Sequence, residues 1–413
     1  MFVALVIMIA GCQSMVSPGG STPFMVGPGG SQNNTAQTQK QYAYNSNINL
    51  DVVVPVFDPG LPKDSSGNLD YDKIKNDAIW PQLRRAEAKK FAFSTKKAIQ
   101  KIGAFGAVNV TPDSNVSSDV FVIGSIVESD SEIVKIKAVV MDSGGSVWGQ
   151  KTFKHRVSEG FFRNSRNKNK DPYGPVFTQV AEYVYALLKR KNEVQKQAIR
   201  DLTTIRYAQY YSPESYDQYV QQKIVGNAFS GKRYEFKLTG KPSDADRMLG
   251  RIDALRNQDN MFIDRLQVQY EAFDLQSQAS YRVWQKETLA EAVAARKAKN
   301  ARNAKAVLGI AAAIGAVMVA KNSNSTYAGS STAALAVASV AAIGSSLKDN
   351  QQFKIHRASL DEMGESLDIN LSPSVMQFNE TTTTLTGTAS EQHEQWKAHL
   401  KAIYDLEYSN QAL

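Results

Sequence analysis

Apolar positions are sparse over residues 13–47, dense and β-branched from Asn49, helically spaced from Ser243, and concentrated with small residues in two uncharged segments, 306–320 and 327–347. In the second of these zones, NLDVVVPVFDPG (49–60) is a β-branched run closed by Asp-Pro-Gly, which predicts a buried strand entering a loop. Leu83, Ala86, Phe91, Ala98 and Ile102 recur at near-helical spacing, with Pro81 in the first turn and Gly103 at the stop, predicting a helix over 78–102. Four strands are predicted next: Ala107–Val110, Asp119–Ser129, Ile133–Gly145 and Ser146–Val157. The turn Asp142-Ser143-Gly144-Gly145 joins the last two as a hairpin. A helix presenting Val176, Phe177, Val180, Ala181, Val184, Leu187 and Leu188 on one face closes the unit. Strand, helix, four strands, helix describes an α/β sandwich over 49–190 within an α+β chain. Phe121, Ile123, Ile126, Ile136, Val139, Val180 and Val184 are its expected core.

Residues 192–305 change character, with little β signal and many Gln, Arg, Lys, Glu and Tyr. Ser212-Pro213-Glu214 predicts a helix start, and 233–241 one short strand. From Ser243, with Asp244 and Asp246 placed for the positive helix end, a helical pattern runs to Lys305 without a proline. Met248, Ile252, Leu255, Phe262, Leu266 and Phe273 recur at intervals of three, four or seven. Two readings stay open: one long helix of the kind that serves as an assembly arm, or shorter helices broken near Asn257–Asn260. Ala306–Ala320 and Tyr327–Leu347, within 306–348, predict an Ala/Gly-rich helical hairpin. Fifteen residues of helix span about 22 Å, short of the roughly 30 Å of a hydrocarbon core. Small residues let helix backbones approach closely, so Gly309, Gly315 and Ala334 are candidate assembly contacts. The hairpin packs between domains or subunits in one reading and dips into a membrane ring in the other. A small cap of two strands (366–378 and 379–390) and a helix (Glu391–Tyr408) is expected within 353–413, packing on the α/β unit. Trp396, Leu400, Ile403, Tyr404 and Leu406 are its apolar positions.

The first twelve residues alter the picture most. MFVALVIMIAGC is an apolar run closed by Ala10, Gly11 and the single cysteine of the chain, Cys12. That is the layout of a lipoprotein signal, residues 1–11, in which the thiol takes a diacylglyceryl group and becomes the mature N-terminus. An ordinary signal peptide also ends in small residues, but a lone cysteine has no disulfide partner and suits no metal site. No Lys or Arg precedes the run, which leaves room for a start upstream of Met1. Gln13 rather than Asp after the cysteine favours the outer membrane, with the bulk of the chain facing the periplasm. Residues 12–47, with the near-repeats MVSPGGS and MVGPGGS, read as a flexible tether.

A resemblance follows from these motifs. A strand ending in Pro55-Val56-Phe57-Asp58, a helix, the run Ser118–Ile126, and a strand ending in the Asp142–Gly145 turn resemble the nucleotide-free α/β domain of the curli-secretion-channel lipoprotein family. The same core resembles the N-terminal domain of the Tol translocation protein and the lipoprotein activators of penicillin-binding proteins. The resemblance covers 49–190 and the lipobox. Curli-type channels build a membrane β-barrel from long alternating hairpins, and no pair of segments here has that length and alternation. What is implied is therefore the domain rather than the pore.

The net charge of +8 comes with two basic runs, Arg163–Lys170 and Arg296–Lys305. Both lack the interleaved aromatics of a nucleic-acid reader, so no nucleic acid is expected. In an envelope compartment the charge suits anionic lipid or acidic wall polymers. No cofactor is expected, since phosphate-loop, dinucleotide, nucleophile-elbow and CxxC motifs do not occur. His155, His356, His393 and His399 are too dispersed for a zinc motif, so no metal is expected. Asp51, Asp58, Asp119 and Asp142 sit at strand ends, where Asp before Pro or Gly is ordinary turn chemistry; no enzyme is expected. The function these readings favour is an outer-membrane-anchored lipoprotein that homo-oligomerises into a ring or scaffold of a secretion channel or flagellar motor. Its partners would be outer-membrane lipid through acylated Cys12, with peptidoglycan or other machine subunits. The alternative is a monomeric tethered activator of a peptidoglycan synthase.

Overall fold

The computed structural model describes residues 42–227, 231–243, 246–300 and 351–409. They form an α+β fold in which a five-stranded sheet, a helix of 54 residues and a small C-terminal strand-and-helix element share one core. The sheet order is β2-β1-β3-β4-β5. β1 (Val52–Pro55) runs parallel to both β2 (Val108–Thr111) and β3 (Val120–Ser129), while β3, β4 (Ile133–Asp142) and β5 (Val147–Arg156) form an antiparallel meander. Between β1 and β2 lie α1 (Tyr71–Asn76) and α2 (Pro81–Gln100), and α3 (Gly174–Leu188) follows β5. The expected order of strand, helix, four strands and helix is thus the observed one, with α1 added. Phe91 of α2 packs edge-on against Tyr173 and Phe177, joining α2 to α3 above the sheet.

The Pro55–Asp58, Ser118–Ile126 and Asp142–Gly145 segments are each held by specific contacts. The Phe57 ring lies against β3 where Gly124 leaves room, since a Cβ there would stand 2.3 Å from the ring. Asp58 N–H donates to Gly124 O and Ile126 N–H to Asp58 O, so the loop after β1 is laced onto β3. The Asp142–Gly145 turn forms as expected, with Asp142 Oδ1 accepting from the N–H groups of Gly144 and Ser146.

Strand pleating corrects the expected core. Val120, Val122 and Ile126 of β3 and Val134, Ile136, Ala138 and Val140 of β4 are buried inward. Ile126, Ile136, Val180 and Val184 therefore belong to the core, as expected. Phe121, Ile123 and Val139 do not: they are half-buried on the opposite sheet face, where Phe121 pairs with Met141 and Ile123 with Val139. Side chains alternate faces along a strand, so Phe121 and Ile126, five apart, share a face only across an irregularity. The bulge here lies between Ile126 and Glu128, beyond both.

Three further elements differ from the expectations. Residues 42–47, assigned to the flexible tether, are docked: Tyr42 packs on Tyr185, and Tyr185 Oη donates to Ala43 O. The single strand expected at 233–241 is one arm of a hairpin, β6 (Val220–Asn227) with β7 (Gly231–Leu238). The hairpin docks on the β4–β5 turn, where Phe236 N–H donates to Gly144 O and a Cβ on Gly145 (φ +75°) would meet Tyr234 O at 2.3 Å. Between the sheet unit and this hairpin run α4 (Glu193–Tyr211) and the single turn α5 (Pro213–Tyr216), which starts at Ser212-Pro213 as expected and is followed by a 3-10 turn, Asp217–Tyr219. The cap also contains an unexpected helix, α7 (Gln351–Met363), before β8 (Ser374–Phe378), β9 (Thr381–Leu385) and α8 (Ala389–Ser409). α8 buries Trp396, Leu400, Ile403 and Tyr404, whereas Leu406 is exposed.

The long helix, α6 (Arg247–Asn300), is continuous through Asn257–Asn260. At 1.5 Å per residue it is about 80 Å long. Asp246 starts it by accepting from the N–H groups of Met248 and Leu249.

Candidate functional site: the long helix and its exposed stripe

Of the residues singled out in sequence, Cys12, Gly309, Gly315 and Ala334 lie outside the described residues, as does the predicted hairpin. The strand-end carboxylates are absorbed by local structure. Asp51 Oδ1 accepts from Ala107 N–H. Asp58 Oδ1 accepts from Gly60 N–H. Asp119 bridges Asp51 N–H and the Thr203 hydroxyl of α4. Asp142 holds its own turn and the Trp148 indole at 2.8 Å. Burial pushes the Asp119 and Asp142 carboxyls above the usual range, against these donors. The histidines are scattered: His356 meets Ser280, His393 meets Asp259, and His399 meets Thr381. Among the described residues no three His, Cys, Asp or Glu side chains cluster as metal ligands.

What the structure does assemble is a set of polar clamps that fix α6 against everything else. At the sheet edge, the Gln267 amide takes the place of a neighbouring strand. Its Oε1 accepts from Val110 N–H at 2.9 Å and its Nε2 donates to Val110 O at 2.9 Å. The same amide donates to Ile263 O and accepts from the Lys96 ammonium, so all four of its hydrogen-bonding positions are used. An open strand edge is thereby covered. Further along, Tyr281 Oη donates to Glu87 at 2.7 Å, and Ser129 of β3 donates to the same oxygen at 2.6 Å. Glu87 is fully buried, and burial pushes its carboxyl above the usual range against the pull of Arg84, 3.7 Å away. Asp274 of α6 pairs with Lys90 of α2 at 2.5 Å. Arg296 grips both oxygens of Glu132, in the β3–β4 turn, at 2.8 Å. On the cap side, Asp259 and His393 form a buried pair at 2.8 Å, with the imidazole stacked on Phe262. The C-terminal region also returns to α2: Trp80 Nε1 donates to Asp361, and Lys89 Nζ donates to Met363 O and Ser366 O. The cap therefore packs on α6 and α4 as well as on the α/β unit, with Tyr404 edge-on to Tyr211.

With one face clamped, the rotation of α6 is fixed and the opposite face is set. Ile252, Leu255, Phe262, Ile263, Leu266, Tyr270 and Phe273 are buried. Met261, Val268 and Leu275 are 49%, 65% and 64% exposed, and they fall at intervals of seven. Ala272 and Ala279, four residues beyond Val268 and Leu275, extend the same face with small side chains. A seven-residue apolar repeat is the seam by which helices pair side by side. The stripe from Met261 to Leu275 is about 21 Å long. Sequence reasoning listed the buried positions of this helix and missed the exposed ones, although their spacing was there to be read.

No family model, no curated protein and no solved structure matches this chain. No helix among the described residues is long and apolar enough to cross a membrane.

Proposed function

We propose that this chain is a structural subunit of the bacterial outer membrane, acylated at Cys12, that assembles with copies of itself into a ring or scaffold of an envelope machine. The observation that carries the reading is the exposed heptad of Met261, Val268 and Leu275 on a rigidly clamped helix. Fully burying a side chain of this size contributes about 1.5–3 kcal/mol. Covering the exposed half to two-thirds of three such side chains on each of two helices supplies enough burial to hold subunits together in solution at micromolar concentration. The resemblance of 49–190 to the curli-channel and Tol-type domains supports the same setting. So does the engagement of the strand-end carboxylates in caps and turns rather than around a cleft. A secretion channel or flagellar-motor ring remains the machine class we favour.

The test is the mass in solution of the full chain carrying Cys12→Ser, by light scattering or mass photometry. The expected result is an oligomer that Val268→Asp dissociates with no loss of helix signal or melting temperature. A parent chain that stays monomeric at tens of micromolar would overturn the assembly and favour the tethered activator. Anchoring is read separately: globomycin should leave an unprocessed precursor, and a mature N-terminus other than Cys12 would end that part of the reading.

A further inference from the structure

Arg163, which opens the first basic run, and Lys297, from the described start of the second, line one groove although they are more than a hundred residues apart in the chain. It lies between the Ser158–Arg163 loop and the last turns of α6 and encloses about 390 Å³. Its floor is apolar. Phe162 forms one wall, and Leu289 and Val293 are buried beneath; Ala290 and Ala294, exposed on the helix, leave the space open. Its rim is cationic, with Arg163 on the loop and Lys286 and Lys297 on the helix. Lys286, Ala290, Val293 and Lys297 recur every three or four residues, so they form one continuous face of α6. The loop is held there by Arg282, whose guanidinium donates to Lys170 O and Asn167 O and lies 5.5 Å from the Phe162 ring.

Two carboxylates temper this charge. Glu159 lines the groove and binds Lys297 at 2.8 Å, an interaction that holds its carboxyl below the usual range. Glu287 lies 3.5 Å from Lys286. Arg163 adds a further positive charge on the rim, and Arg166, Lys168 and Lys170 extend it along the exposed loop. The groove is therefore cationic on balance and hydrocarbon-lined within. A free inorganic anion would make no use of the floor. A nucleic acid would need more stacking surface than Phe162, which is already engaged by Arg282.

We propose that this groove binds an anionic phospholipid, with an acyl chain along the Leu289–Val293 floor and the phosphate at Arg163 and Lys286. Long cationic side chains suit that role, because their stems cover apolar surface while their heads reach phosphate oxygens. The inference shares with the function proposed above only the placement beside a membrane; it requires neither acylation nor assembly.

The test uses the full chain with Cys12→Ser, so that no anchor contributes, and vesicles of phosphatidylcholine with or without phosphatidylglycerol. The chain is expected to float with the phosphatidylglycerol vesicles and not with phosphatidylcholine alone. Ala290→Trp fills the floor and leaves every charge in place; it should weaken flotation at least fivefold while leaving retention on a heparin column unchanged. Ala294→Glu, which puts a carboxylate on the floor, should do the same. Arg163→Gln with Lys286→Gln should lower both flotation and heparin retention. If both alanine variants float like the parent, the chain adsorbs by surface charge alone and the groove is not a lipid site. Equal flotation with the two vesicle types would overturn it as well. Particle mass measured on the same samples separates this outcome from failure of the assembly reading.

Discussion

Replacing Gln267 with Met tests how the long helix is held. The two side chains are close in size and shape, so the substitution removes hydrogen bonds and little packing. Four bonds are lost: two to Val110, one to Ile263 O and one from Lys96. The Ile263 carbonyl keeps its place in the helix ladder, so the weight falls on the other three. Val110 is fully buried at the edge of the sheet, and its N–H and C=O would be left facing a thioether. A buried polar group without a partner costs about 1–3 kcal/mol, and partial access of water from the exposed side of the helix offsets part of that. Lys96, 7% exposed, would lose its acceptor while burial already lowers its pKa. The sum is a loss of about 2–4 kcal/mol of unfolding free energy. Urea denaturation followed by circular dichroism reads it as a lower midpoint at unchanged slope. Gln267→Glu, which keeps an acceptor for Val110 N–H but presents a carboxylate to Val110 O, should also destabilise. Should Gln267→Met stay within about 0.5 kcal/mol of the parent, the amide is not what closes the sheet edge.

Burial lowers the Lys89 pKa from 10.5 to about 8. Between those values the unfolded chain binds more protons than the folded one, so this group makes stability rise as pH goes from 8 to 10.5. An increment on the order of 2–3 kcal/mol is expected in urea midpoints over that range, and Lys89→Met should lack it; an identical pH slope in the variant would contradict the assignment. Pleating predicts that Val140→Ala costs about 1.5–3 kcal/mol and Val139→Ala, on the half-buried face, less than half as much. Thermal melts of the two variants give the comparison, and equal losses would mean that the two sheet faces are equally packed.

Much of the 49–190 fold was legible because its signals are local. Pro81 marks where a helix starts, Gly103 and the Asp142–Gly145 turn mark where elements stop, and β-branched runs fill the space between them. Which way each strand faces was not legible. Phe121, Ile123, Val139 and Met141 make the second sheet face apolar as well at the end near the Asp142 turn, where no alternation can be read, although Lys135 and Lys137 alternate with Val134, Ile136 and Ala138 further along β4. β6 escaped because QQKIVGN carries few apolar residues; its place is set by pairing with β7 and by the docking of that hairpin on Gly144 and Gly145. α7 escaped for a related reason, since its position follows from the grip of Trp80 and Lys89 on α2. The groove was beyond sequence altogether: Arg163 and Lys286 line it together where Arg282 ties their segments to one another.

α6 carries a long buried apolar stripe and a short exposed one, so burial decides which face turns inward and leaves the fine rotation of the helix to other contacts. Turning it by about 100°, one residue's worth, would put Arg251, Arg265 and Gln269 where Ile252, Leu266 and Tyr270 are buried, but a turn of a few degrees changes apolar burial far less. Apolar contacts are non-directional, so they oppose so small a rotation weakly. Hydrogen bonds with fixed geometry oppose it strongly. Asp259 on His393, Gln267 on Val110, Tyr281 on Glu87 and Arg296 on Glu132 are spread over most of the helix and engage cap, sheet edge, α2 and β3–β4 turn in succession. Their effect is to present Met261, Val268 and Leu275 outward together. If that is what these clamps do, Gln267→Met should weaken self-association as well as folding, under conditions where the chain is still fully folded. The dissociation constant, measured by sedimentation at several loading concentrations, is expected to rise at least threefold in the variant. An unchanged constant, alongside a lowered urea midpoint, would show that the clamps stabilise the fold without orienting the seam.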